Sequence, residues 1–302
     1  MNLLEFQRKF SSEEACLEYL EQSRWPKDRY SPHCGSIKTY KFADGKLFKC
    51  GDCRKQFTAK VGTIFSDSKI PLYKWFLAIY LATSLKKGIS SMQLSRYLGV
   101  TQKTAWFMLQ RIRFALEKSG NNNLLQDVVE VDETYLGGKG INRAKERRST
   151  EQDYNKQVVM GMVQRGGKAK IKHVKSAGAR ALLPEIQQNI APNTQIYSDE
   201  YGAYKTLPRL GYPHGTVRHR SNQFRNGDIH TQTIEGIWSH FKRGINGTYH
   251  HVSPKHLQKY CSEYEYRYNT RNISDIERFS EWFASSLCRL TYKELINAER
   301  SI

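Results

Sequence analysis

The sequence predicts an α/β domain preceded by two small modules, a cysteine-bearing hairpin and a helix-turn-helix. Three observations predict it. Cysteines cluster between residues 34 and 53, a helix–glycine–helix pattern surrounds Gly99, and after a polar break at 119–124 apolar strand-like runs alternate with a helical period. The expected boundaries are 1–66 for a helix plus hairpin, 67–120 for the helix-turn-helix, 121–275 for the α/β domain and 276–302 for a closing helix.

The first segment reads as a short helix. Ser11 and Glu14 have capping-box spacing, Cys16, Leu17, Tyr19 and Leu20 are its apolar residues, and Trp25-Pro26 ends it. From 28 to 65, short aromatic runs alternate with turns. Asp44-Gly45 between two such runs is a hairpin signal, and Cys50-Gly51-Asp52-Cys53 forms a CxxC knuckle. Two knuckles joined by a hairpin describe a zinc ribbon, a unit with too little core to fold without its metal. The upstream knuckle is incomplete, because Ser31 stands where a fourth cysteine belongs. Cys34, Cys50 and Cys53 are therefore the expected zinc ligands, with His33 or a water in the fourth position. The same pattern is compatible with three ordinary thiols in a small β-unit.

Residues 70–118 are expected to be helical. Pro71 suits the first turn of a helix, and Trp75, Phe76, Ile79 and Tyr80 supply an apolar stripe. Gly99 then permits a turn and Thr101 caps the next helix, which opens on Gln102, Lys103 and Thr104. The exposed start of the second helix is where a helix-turn-helix meets base edges. Beyond the break, strands are expected at Val128–Tyr135, Gln157–Gln164, Lys170–Val174 and Thr194–Ser198, with a helix at Ala181–Ile190. The stretch from Lys139 to Lys156 reads as a basic loop whose Lys145, Arg147 and Arg148 would grip phosphate without regard to sequence.

Charge narrows the partners. With 48 Lys+Arg against 29 Asp+Glu the formal net charge is +19, which attracts polyanions, nucleic acid first among them. An aromatic fraction of 12% excludes a disordered chain. No run approaches ~18 apolar residues, so no membrane span is expected, and the first residues lack the layout of a signal peptide. The expected location is the cytoplasm, in association with the nucleoid.

Three acidic positions carry the chemistry. Asp132 ends the apolar run Val129–Val131, Asp199 follows Ile196–Ser198, and Glu235 lies at the start of a helical pattern. Carboxylates at strand ends can converge on one sheet edge, and a neighbouring helix can deliver a third. Such a set suits a pair of hard divalent cations, magnesium or manganese, that activate an attacking oxygen and stabilise a leaving one. Lys242 lies 7 residues after Glu235, about two helical turns, and so shares its face. Glu133 and Glu200 adjoin the two aspartates and read as solvated neighbours, with a catalytic role as the lesser alternative; His230 reads equally well as pointing to the site or satisfying a backbone carbonyl; Trp238, Tyr249 and Tyr260 read as core ahead of base-stacking platforms.

These residues resemble the catalytic set of DDE transposases, and the chain is similar to bacterial insertion-sequence transposases with an N-terminal zinc ribbon. The resemblance also runs through Pro32-His33-Cys34-Gly35-Ser36, Gly62-Thr63-Ile64-Phe65, His230-Thr231-Gln232-Thr233-Ile234-Glu235-Gly236, Gly247-Thr248-Tyr249-His250-His251-Val252-Ser253 and Tyr266-Arg267-Tyr268-Asn269-Thr270-Arg271. It implies an RNase H-like catalytic domain and metal-dependent cleavage at element ends, followed by strand transfer into target DNA. It also implies a dimer or larger assembly on double-stranded DNA. Ser31 departs from the ribbon pattern. Gln232 stands where relatives often carry an Asn with the third catalytic role, so it is the weaker alternative to Glu235, since a carboxylate binds magnesium better than an amide. A non-catalytic DNA-binding regulator and a stand-alone nuclease are the rival readings.

Overall fold

The computed structural model describes residues 1–119, 123–137, 156–218, 225, 227–284 and 286–297. Two compact units emerge, Met1–Ser119 with Asn272–Arg300, and Gly120–Arg271.

The first unit begins with α1 (Leu3–Lys9) and α2 (Glu13–Arg24). Sequence spacing marked Ser11 as the cap of α2. In the structure Ser12 takes that place, its hydroxyl accepting from the Ala15 amide at 3.2 Å. A three-stranded antiparallel sheet follows, with β1 (Thr39–Lys41), β2 (Phe48–Cys50) and β3 (Gln56–Phe57) in that order. Phe48 and Phe57, paired across β2 and β3, are fully covered and pack on Trp25, which gives this small sheet its core.

Helices α3 (Leu72–Ser84), α4 (Ser91–Leu98) and α5 (Gln102–Lys118) complete the N-terminal part. Pro71 sits just outside α3 without a capping side chain, and the Glu13 carboxylate instead accepts the Leu72 amide. Gly99 closes α4 in the left-handed region (φ 59°), a conformation a Cβ disfavours, and Thr101 caps α5 through the Thr104 amide. Where sequence predicts one closing helix over 276–302, the structure has two, α9 (Asp275–Ala284) and α10 (Tyr292–Asn297). Both pack within this unit, α9 through Phe279 and Phe283 against Phe6, Phe10, Tyr19, Phe65 and Phe76, and α10 through Tyr292 against Phe107. Buried Arg111 of α5 ties the unit together, donating to the carbonyls of Ile64, Ser66 and Leu290.

The second unit is a mixed α/β domain of the RNase H-like class. Its sheet holds β4 (Val128–Leu136), β5 (Gln157–Gln164), β6 (Ala169–Val174), β7 (Gln195–Asp199) and β8 (His214–Val217) in the order β6-β5-β4-β7-β8. β4, β5 and β6 pair antiparallel, whereas β7 and β8 run parallel to β4. Strand β8 and the 3-10 turn Gly202–Leu210 were not legible in the sequence.

Alternation sorts β4 onto two faces. Val129 and Val131 join α6 (Ala179–Asn189), Ile196 and Tyr204 in one core. The other face carries Val159, Val163 and Ile171 from β5 and β6, against Ile234, Trp238 and Phe241 of α7 (Gln232–Gly244) and Tyr260 and Tyr264 of α8 (Leu257–Asn269). Edge strand β6 is covered by α8, since Asn269, Glu265 and Gln258 accept the outward amides of Ala169, Ile171 and His173. Such cover removes an edge that would otherwise template pairing with another chain.

Candidate functional site

Asp132 and Asp199 come together because of register. The parallel pair β4–β7 is in step at Glu130↔Tyr197, and two residues further along each strand the side chains return to the same face, giving Asp132 and Asp199. Adjacent strands are about 4.8 Å apart, so the two carboxylates are close neighbours. That face is the one α7 covers. On α7, Ile234, Ile237, Trp238 and Phe241 form the buried stripe. At about 100° per residue, Glu235 stands about 60° from Trp238, and Lys242 about 20° from Glu235. Gln232 points about 60° further from the stripe than Glu235 does, out into solvent.

Trp238 makes the contact sequence reasoning missed. Its indole Nε1–H donates to Asp132 Oδ2 at 2.9 Å, so a core aromatic also orients a site carboxylate. Room for that ring comes from Gly161, which pairs with Asp132 across β4–β5. A Cβ there would lie 2.6 Å from Ile234 Cδ1 and 2.7 Å from the Trp238 ring. Asp199 Oδ1 accepts the Tyr201 amide at 3.0 Å, and Glu235 Oε1 accepts the Thr231 hydroxyl at 2.8 Å.

The electrostatics fit a cation. Burial pushes the Asp132 carboxyl up to about 6, against the pull of the Trp238 hydrogen bond, and the negative charges of Asp199 and Glu235 push it further the same way. Three mutually repelling carboxylates are a hard-oxygen donor set that a divalent ion relieves. Their ligand atoms are spread more widely than the 4.8 Å within which the cysteine cluster falls. Glu133, on the opposite face of β4, is raised to about 7 by burial, although Tyr204 donates its hydroxyl to it at 2.6 Å. It is a half-buried neighbour of the site, held by Tyr204, and not the solvated one expected.

Glu130 is the other residue that sequence reasoning passed over. Fully buried, it meets Arg165, Thr233 and Ile234, and His230 Nδ1 lies 3.3 Å from it. The acidic run Glu130-Val131-Asp132-Glu133 held the signal, in that period-two alternation separates Glu130 and Asp132 from Glu133.

In the ribbon, the sulfurs of Cys34, Cys50 and Cys53 all lie within 4.8 Å of one another. Cys34 and Cys50 are 3.5 Å apart, and Ser31 Oγ lies 3.8 Å from Cys53 Sγ. Tetrahedral zinc with bonds of about 2.3 Å to sulfur sets ligands about 3.8 Å apart, so these separations fit the ion. The Cys53 amide donates to Cys50, drawing that thiol down to about 6 and favouring the ligand form. Ser31 is buried beside the cluster, whereas His33 turns its Nε2 to the Gln56 carbonyl at 3.4 Å and is not part of it.

The residues expected to read DNA lie in the first unit. Gln102, Lys103 and Thr104 form the first turn of α5. Gln102 donates to Ser91 at 2.7 Å, Lys103 lies over the Tyr292 ring, and the Thr104 hydroxyl meets that of Thr101. Lys145, Arg147 and Arg148 lie outside the described residues. Among the described residues, no helix is long and apolar enough to cross a membrane.

Residues 124–269 match the ISXO2-like transposase domain, and residues 11–56 match the transposase zinc-ribbon domain. The chain is similar to a protein in transposable element ISH50 of Halobacterium salinarum, 29% identical over 276 residues that cover 85% of this chain and 91% of that protein. It is also similar to a transposase-like protein of Haemophilus influenzae, 27% identical over 100 residues, 33% of this chain and 80% of that protein. With a ribbon match and a transposase-domain match in the same order as the two folded modules, the chain is similar to the insertion-sequence transposases that carry an N-terminal zinc ribbon.

Proposed function

We propose that this chain is a transposase that cleaves DNA at the ends of its element and joins the freed 3′-hydroxyl to target DNA, using Asp132, Asp199 and Glu235 as a metal-holding set. The single observation that carries this reading is the convergence on one sheet face of Asp132, midway along β4, with Asp199 at the end of β7 and the helix-borne Glu235, whose charges act on Asp132. Magnesium or manganese, when bound, supplies activation of the attacking oxygen and stabilisation of the leaving one. The chain's own residues do the rest. Trp238 fixes one oxygen of Asp132, the Tyr201 amide fixes one oxygen of Asp199, and Thr231 fixes one oxygen of Glu235. Lys242, on the Glu235 side of α7, grips the phosphate.

The first turn of α5, with Gln102, Lys103 and Thr104, is the reader of the element ends, and Lys145, Arg147 and Arg148 add sequence-independent affinity. Cys34, Cys50 and Cys53 hold zinc in the ribbon, with Ser31 beside the fourth position. Two ends must be held together for strand transfer, so the working form is a homo-oligomer on nucleoid DNA.

Substitution tests this reading. Asp132→Asn, Asp199→Asn and Glu235→Gln are each expected to lose cleavage and joining of an end-containing duplex in magnesium while still binding it, because affinity rests on basic residues elsewhere. Retained binding with no cleavage by the parent protein would favour a regulator, and nicking without joining a nuclease. A Glu235 variant with full activity, beside an inactive Gln232→Ala, would move the third role to Gln232.

A further inference from the structure

Helix α7 is capped in an unusual way. The first amides of a helix have no partner within it, and the residue at the N-cap normally accepts those of the second or third helical residue through its side chain. Thr231 holds the N-cap position of α7 but makes no such bond. Its hydroxyl donates to Glu235 Oε1 at 2.8 Å. The two amides it would serve belong to Thr233 and Ile234, and both are donated to Glu130 Oε2 of β4, at 2.8 and 3.0 Å.

Glu130 is fully buried, and its other oxygen is equally committed. Oε1 accepts from Arg165 Nε at 2.8 Å and from the Thr233 hydroxyl at 2.9 Å. A buried carboxylate persists only when paired and hydrogen-bonded, and here a guanidinium and a helix N-terminus both stabilise the charge. Arg165 also donates to the carbonyls of Asp228 and His230, at 2.8 and 3.0 Å, and so holds the stretch that leads into α7.

We infer that Glu130, held by Arg165, is a positioning residue that caps α7 from the sheet and thereby releases Thr231 to orient Glu235. The inference rests on reading Asp132, Asp199 and Glu235 as the metal-holding set. Its consequence is geometric. Glu130 and Asp132 project from the same face of one strand, so the strand that carries the first carboxylate also sets the start of the helix that carries the third. Without Glu130, the Thr231 hydroxyl is the N-cap group that ordinarily accepts these amides, and turning to them withdraws it from Glu235.

The test uses the full-length, zinc-loaded chain with Glu130→Gln and Thr231→Val. Gln keeps the size of Glu130 but offers only one acceptor oxygen. Val keeps the shape of Thr231, leaves the Glu130 cap intact and removes only the hydroxyl that reaches Glu235. Mn2+ binding without DNA is followed by the electron paramagnetic resonance of the free ion, and Mn2+-dependent nicking of a supercoiled plasmid is measured alongside thermal melting and plasmid binding. Both variants are expected to bind plasmid as the parent does and to need about 10-fold more Mn2+ for half-saturation in both assays, the scale of losses at groups that orient metal ligands. A purely structural role for Glu130 predicts a lower melting temperature with the parent's Mn2+ requirement, and that result overturns the inference. If Glu130→Gln does not fold, Thr231→Val decides alone, since an unchanged Mn2+ requirement there refutes the role given to its hydroxyl. Asp132→Asn is run in parallel. Parental Mn2+ binding and nicking in that variant would overturn the carboxylate set itself, and this inference with it, whereas loss there beside unchanged Glu130 and Thr231 variants overturns the capping inference alone.

Discussion

Replacing Gly161 with alanine puts a methyl group into the contact that seats α7 on the sheet. The added Cβ would stand 2.6 Å from Ile234 Cδ1 and 2.7 and 2.8 Å from two atoms of the Trp238 ring. Ordinary carbon contacts lie at about 3.5–4.0 Å, so the helix or the ring must retreat by roughly 1 Å. The Ile234 tip has a rotamer to try, but the indole is rigid and buried. Overpacking of this kind costs about 1–3 kcal/mol. The displacement falls on the Trp238–Asp132 hydrogen bond, now 2.9 Å, which a retreat of that size breaks. Misplacement by about 1 Å can cost on the order of 100-fold in rate, so Gly161→Ala is expected to lose far more cleavage than stability. Gly236→Ala on the exposed face of the same helix is the matched control. Nothing lies within 4 Å of its added Cβ, and removing a mid-helix glycine is worth about 0.5–1 kcal/mol of stability. Urea unfolding and magnesium-dependent cleavage of both variants check the pair. A Gly161→Ala protein with the parent's midpoint and rate would refute the close approach of α7 to β5 at this point.

Further expectations follow from other parts of the chain. Ser31→Cys places a thiolate beside Cys53, where a buried hydroxyl now sits, and should raise zinc affinity and the melting temperature of the ribbon; chelator titration with metal analysis measures it, and equal zinc loss from both forms counts against the site. Glu133 is raised from 4.5 to about 7, so its ionisation destabilises the folded state: the stability conferred by its protonated form is complete below about pH 4.5 and is lost as pH rises through about 7. Glu133→Gln keeps an acceptor for Tyr204 and should therefore be more stable than the parent at pH 8 and equal to it near pH 4.5 in magnesium-free urea titrations, and a constant difference across that range would contradict the assignment. Replacing Gln102, Lys103 and Thr104 by alanine should reduce the preference for element ends over random duplex, measured across a salt series, and equal loss on both DNAs would remove α5 as the reader.

Much of this could be read from the chain alone, for local reasons. A CxxC knuckle, an Asp-Gly turn, a glycine between two helical runs and apolar runs followed by an aspartate are patterns whose meaning lies within about ten residues. That is why the hairpin sheet, α4, α5 and strands β4 to β7 stand close to where periodicity placed them, and why Asp132, Asp199 and Glu235 could be singled out. What the sequence could not contain was the pairing of distant surfaces. Glu130, Asp132 and Glu133 are three acidic residues in one strand, and alternation divides them between two faces without saying what covers either. Tertiary packing brings Tyr204 to Glu133, Trp238 to Asp132, and Arg165 with the α7 amides to Glu130. The same holds for α9, whose aromatic face is amphipathic in sequence but finds its partners in residues 6–76 only when the chain is folded. Local chemistry decides which groups are capable of acting, and tertiary packing decides how each carboxylate is held, because that depends on desolvation and on hydrogen-bond donors supplied by chain far away in sequence.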